Sequence, residues 1–199
     1  MLKGIVLGIL LGFVLLFLGA YFYFSTGHAP VATNSPQMPF ESQFARMALH
    51  AYLNKAPHVN SPVPVDEANL SAAANLYKQN CAVCHGLLGE PHNAIGHGMF
   101  PRPPLLFRGV GVTDDEPWEI FTIMSGGIRM TGMPGFKDSL SDTQMWQLAQ
   151  LLKNADKLPD SVKAVLSSTP PSAAPGQPSA PAPMAAPANA SEPDHDHAH

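Results

Sequence analysis

The stretch 81-CAVCHG-86 holds both cysteines of the chain, Cys81 and Cys84, with His85 directly after the second. Two thiols at this spacing can each add to one vinyl group of a single porphyrin, giving two thioether bonds. The adjacent histidine is then held under the iron, and its imidazole becomes an axial ligand. The motif therefore reads as the attachment site of one covalent haem and its iron, carried by Cys81, Cys84 and His85. Other uses of a Cys-x-x-Cys pair fit less well. A thioredoxin-like redox pair wants a strand-helix-strand setting that these residues do not provide. A structural zinc site wants a second Cys or His pair at knuckle spacing. A disulfide between the two cysteines would leave His85 without a task.

Upstream of the motif, Leu76 and Tyr77 lie on a helix for which Ser71 is the predicted N-cap, so the haem motif falls at that helix's end. Downstream, residues 86–111 hold six glycines and four prolines with little periodicity. A small domain can carry so long a turn-rich loop if the loop wraps something, and the haem is the candidate. Thr113 and Glu116 read as a capping box with Pro117 in the first turn. They open a helix carrying Trp118, Phe121 and Met124, which Gly126 and Gly127 stop. Ser141 and Gln144 read as a second box, opening a last helix with Met145, Leu148, Ala149, Leu151 and Leu152 on its apolar side. The haem domain thus spans 66–166.

The flanks differ in kind. Residues 4–24 carry no charge and would span roughly 30 Å as a helix, the thickness of a bilayer's hydrocarbon core. Tyr21, Phe22, Tyr23 and Phe24 suit the far membrane interface, and Lys3 favours a cytoplasmic N-terminus. A cleaved signal peptide is the alternative, but the apolar run is long and no A-x-A site follows. The reading is a single-pass transmembrane anchor over 1–24. Residues 25–65 form a linker, with a short amphipathic helix at 40–54 on Phe40, Phe44, Met47, Ala48, Ala51 and Tyr52. Its apolar face has two possible seats, the haem domain or the membrane. His28, His50 and His58 read as exposed histidines. Residues 167–199, rich in Pro, Ala and Ser, cannot bury enough apolar surface to fold and read as a disordered tail. His195, His197 and His199 alternate with acids there, as a solvated end or a weak metal site.

The chain has 199 residues and a formal net charge of −4, which leaves no basic footprint for nucleic acid. With both cysteines on the haem, no disulfide remains to brace the fold.

From Asp66 to about Leu166 the chain resembles the class I c-type cytochromes of the small bacterial type. The resemblance rests on the helix ending in CAVCHG, the PRPPL segment at 101–105, the GIRMTGMPGF segment at 127–136 and the final helix around Trp146. It implies an all-α fold, the class I cytochrome c fold around one covalent haem c, preceded here by the N-terminal transmembrane helix. Ala74 departs from the glycine that many relatives use where the first and last helices cross. The resemblance implies thioethers at Cys81 and Cys84, the proximal iron bond at His85, and the distal bond at Met133, ahead of Pro134. Met130 is the near rival. Met99, Met124 and Met145 read as core residues, and His92 or His97 would serve only in a bis-histidine haem. A thioether is a soft, neutral ligand that suits haem iron. Pro104, rather than Pro103, would lend its carbonyl to His85. Trp118 and Arg129 are a packing residue and a solvated residue, or neighbours of the propionates.

Six-coordinate iron has no open position, which suits one-electron transfer and not substrate chemistry. The expected protein is a membrane-anchored monohaem electron carrier, not an enzyme, on the periplasmic or extracytoplasmic side of the inner membrane. Its partners would be redox proteins, with no small-molecule substrate. The alternatives are a fixed haem subunit of a larger dehydrogenase or oxidase complex, and a sensor or enzyme in which Met133 leaves the iron. Between Asp66 and Leu166, eight Lys/Arg face eleven Asp/Glu, so docking would favour a basic or near-neutral partner patch.

Overall fold

A computed structural model describes residues 2–108 and 113–168. The tail and its histidines, from 169 onward, lie outside the described residues, as does the end of the glycine-rich loop at 109–112. Within the described residues, eight helices follow in order: α1 (Leu2–Ser25), α2 (Glu41–Leu53), α3 (Glu67–Asn80), α4 (Ala82–His85), α5 (Ala94–Gly98), α6 (Pro117–Gly126), α7 (Asp142–Lys153) and α8 (Asp160–Ser167). Among the described residues there is no strand. The fold is all-α, as the sequence implies.

Helix α1 is long and apolar enough to cross a membrane, and none of its residues is buried. The haem domain is built on α3, which packs against α7 and α8, and on α6, which packs against α7. Ala73, Ala74, Tyr77, Met145, Leu148, Ala149, Leu151, Val162 and Leu166 are wholly buried in this core. Phe121 of α6 stacks on Trp146 of α7 with ring centroids 4.3 Å apart. Two small residues in sequence, Ala73 and Ala74, let α3 lie close to its neighbours, where a longer side chain would hold the helices apart.

Four local expectations change. Asp66, not Ser71, caps α3: its carboxylate accepts the Asn69 N–H at 2.8 Å. An extended residue with an acceptor side chain wins over a serine already inside a helical turn. Helix α6 starts one turn later than the Thr113–Glu116 box implies. Glu116 is the N-cap, and the Glu119 carboxylate accepts the Glu116 N–H at 2.8 Å. The last helix of the domain is α8, not α7, and α5 interrupts the loop expected to lack regular structure. The Ser141–Gln144 box at α7 is as expected.

The segment between α2 and α3 is seated on the domain. Leu53 and Val63 are buried. The Val63 carbonyl accepts from the Gln150 side chain at 3.5 Å, and the His58 ring stacks on Trp118 at 4.0 Å.

Candidate haem-binding site

The helix carrying the motif ends before it. Asn80 closes α3, Cys81 is the C-cap, and a separate turn, α4, carries Cys84 and His85. The break lets both cysteines and His85 line one cavity of about 270 Å³. The cavity is lined as well from α6 and the loop after it, by Ile120, Ile123, Met124, Ile128 and Met133. Arg102 and Asp115 are the charged residues among those lining it.

His85 is half-buried, and its Nδ1–H donates to the Pro104 carbonyl at 2.7 Å. A carbonyl can only accept, so this bond fixes the tautomer and leaves Nε2 free as a ligating atom. Burial lowers the His85 pKa, the Pro104 bond opposes that, and His92 adds to it. A neutral imidazole results, which is the form that ligates a metal. Burial, with Cys84 beside it, pushes the Cys81 thiol up to about 12. Tyr77 is raised by burial and then by Cys81. Its hydroxyl donates to the Gly86 carbonyl at 2.7 Å and pins the turn that follows His85.

The PRPPL segment is held by two histidines. His92 Nε2–H donates to the Pro103 carbonyl at 2.6 Å, beside the His85 bond to Pro104. His92 and His97 pack edge-on at 5.6 Å, and neither is among the cavity-lining residues. The Asn93 side chain caps α5 by accepting the Gly96 N–H, and donates to the Val83 carbonyl at 2.7 Å. A Cβ at Gly96 would stand 2.6 Å from the Cys84 carbonyl oxygen, so the close approach of α5 to the motif requires glycine there.

The methionine loop is fastened to the end of α6. The Met133 carbonyl accepts the Ile128 N–H at 3.1 Å, and the Phe136 N–H donates to the Met124 carbonyl at 2.8 Å. Gly127 has φ +65, and a Cβ there would meet the Gly135 nitrogen at 2.5 Å. Met133 lines the cavity. Met130 does not: it is 93% exposed. Met124 and Met145 are core residues as expected, at 4% and 0% exposed. Met99 is not simply a core residue. It is half-buried, lines the cavity, and lies over Gly132. Trp118 is a packing residue against His58, and Arg129 is exposed.

The lining suits a haem. Its walls are apolar, two thiols and one pre-oriented imidazole line it, and a thioether lines it as well. Sequence reasoning missed His92, Tyr77, Arg102 and Asp115 in this setting. His92 and Tyr77 act through backbone carbonyls distant in sequence, which residue spacing does not encode.

Comparison with known proteins points the same way. The family described as "Cytochrome C oxidase, cbb3-type, subunit III" matches residues 68–152. The cytochrome c subunit of the quinone-dependent alcohol dehydrogenase of Gluconobacter oxydans is 34% identical over 91 residues, 42% of this chain and 18% of that protein. The quinohemoprotein alcohol dehydrogenase ADH-IIG of Pseudomonas putida is 32% identical over 108 residues, 52% of this chain and 14% of that protein. A second quinohemoprotein alcohol dehydrogenase of Pseudomonas putida, ADH IIB, is 30% identical over 94 residues, 47% of this chain and 12% of that protein. The chain therefore spans under a fifth of the length of these relatives. Within the chain, the matched region is a class I c-type cytochrome domain carrying one covalent haem c with its iron.

Proposed function

We propose that the chain is a membrane-anchored monohaem cytochrome that carries single electrons between redox proteins on the outer side of the membrane. Cys81 and Cys84 hold the haem, and His85 and Met133 hold its iron. Residues 66–166 are the haem domain and α1 is the anchor. The observation that carries this reading is the cavity itself, lined by Cys81, Cys84 and His85 of the motif and by Met133.

The group bound there supplies a one-electron couple at its iron. The chain's residues do the rest. Pro104 orients the His85 imidazole. The hydrogen bonds from Ile128 and Phe136 hold the loop, and with it the Met133 thioether, against α6. The apolar wall excludes water. Iron held by His85 and Met133 would have a raised reduction potential.

The test is an absorption spectrum of the purified holoprotein, oxidised and reduced, with and without carbon monoxide. No response to carbon monoxide is expected in the wild type. Met133→Leu should bind carbon monoxide and lower the potential, within the roughly 0.8 V range that axial ligands command. Met130→Leu should do neither. Carbon monoxide binding by the wild type would move a sensor or enzyme reading to the front.

A second reading draws on the relatives: a fixed haem subunit of a larger dehydrogenase or oxidase complex. The resemblance to a subunit of alcohol dehydrogenase and to subunit III of an oxidase favours it. Purification in mild detergent separates the two. A carrier is recovered alone, and a subunit brings stoichiometric partner chains.

A further inference from the structure

Helix α2 has two apolar stripes, and the domain covers only one of them. Leu49 is half-buried and Leu53 is 6% exposed on the domain side. The Tyr52 hydroxyl reaches α6, 3.0 Å from where a Cβ at Gly126 would stand. On the other side Phe40, Phe44 and Met47 are 65%, 63% and 61% exposed. Phe44 and Met47 fall with Ala48 and Ala51 within an arc of about 100° on a helical wheel, and Phe40, the residue before α2, packs on Phe44. That stripe contains no charged residue.

The outward stripe is also built. Phe40 takes φ 64, a conformation that bulky residues rarely adopt. Its carbonyl accepts the Phe44 N–H at 2.9 Å. The Glu41 carboxylate accepts the Met38 N–H at 2.7 Å and closes the turn. The result sets the Phe40 and Phe44 rings edge to face at 6.5 Å. Local hydrogen bonds thus hold the turn while the Phe40 ring stays exposed.

We propose that α2 lies on the bilayer surface through Phe40, Phe44, Met47, Ala48 and Ala51, while its opposite face seats the haem domain. The occupant follows from chain connection. Only residues 26–40 separate the end of α1 from α2, which limits the separation to about 50 Å even if fully extended. A stripe that is apolar, uncharged and aromatic at its leading end is the kind that enters the headgroup–acyl boundary. This inference rests on α1 being a retained anchor.

The experiment uses the full-length holoprotein in nanodiscs of phosphatidylcholine and phosphatidylglycerol, with some acyl chains photoreactive, followed by peptide mapping. Cross-links are expected on α1 and within residues 40–51. The double variant Phe44→Asp/Met47→Asp should keep the α1 cross-links and the haem spectrum. It should lose those on α2 by about tenfold or more, as removal of buried apolar area implies. Cross-links confined to α1 in the wild type would overturn the proposal and leave the anchor intact. Absence of cross-links on α1 as well would overturn the anchor reading and this proposal with it. Protection of 40–51 from solvent in native membranes, without lipid cross-links, would assign the stripe to a protein partner and also overturn it.

Discussion

His85, the Pro104 carbonyl and His92 show how single residues set the site. Motif spacing makes Cys81, Cys84 and His85 legible, because the chemistry is local in sequence. It does not by itself decide between Met130 and Met133, three residues apart in one loop. The fold does bear on that choice, by exposing Met130 and turning Met133 into the cavity. Asp115 is the residue whose ionisation the fold perturbs against stability. Burial, then Asp114 and Glu119, raise its pKa from 3.8, against Lys153 and His50. A raised acid binds its proton more tightly in the folded state. It therefore costs stability above its folded titration and nothing below 3.8, where both states are protonated. Asp115→Asn should raise the melting temperature at pH 7 and leave it unchanged at about pH 3, as read by circular dichroism. The gain at neutral pH should stay under about 1 kcal/mol, because the carboxylate is half exposed and screened. Ala74 is wholly buried on the face of α3 that meets the later helices. Ala74→Leu should cost about 1–3 kcal/mol by overpacking, measured by denaturant melts.

At the scale of elements, the helices with strong ends were legible: α6 through Pro117 and Gly127, α7 through its capping box. Helix α8 was not, because eight residues offer only Val162 and Leu166 as buried positions, too few for a periodic signal. Helix α5 is shorter still and exists through Asn93, whose side chain serves both its cap and the haem motif. Despite its length, α8 closes the core. Leu166→Ala should cost about 2–5 kcal/mol in a denaturant melt. The joint between α6 and the methionine loop depends on Gly127. Gly127→Ala should both strain the positive φ and push on the Gly135 backbone. The variant should melt about 1–3 kcal/mol less stably and should bind carbon monoxide in a fraction of molecules, where the wild type binds none.

For the molecule as a whole, Ile120, Ile123, Ile128 and Met133 line the cavity and not a closed core, and a domain of this size has only about 5–15 kcal/mol of stability in total. Cys81→Ser/Cys84→Ser, which cannot retain the haem covalently, should lose protease resistance across 66–166 and most of its cooperative melting. The N-terminal third was half legible. Composition separates the apolar helix from the linker, but the seating of residues 50–63 depends on contacts such as His58 with Trp118, far apart in the chain.

The free connection between α1 and α2 is residues 26–40, fifteen residues and not the forty that the linker suggests by sequence. For the carrier proposed above, a leash so short would change the kinetic order of delivery. An acceptor held beside its anchor would see a local haem concentration of about millimolar, whatever the number of copies in the membrane. Turnover within such a pair becomes first-order and nearly independent of ionic strength, whereas exchange with a distant acceptor waits on lateral diffusion of the whole chain.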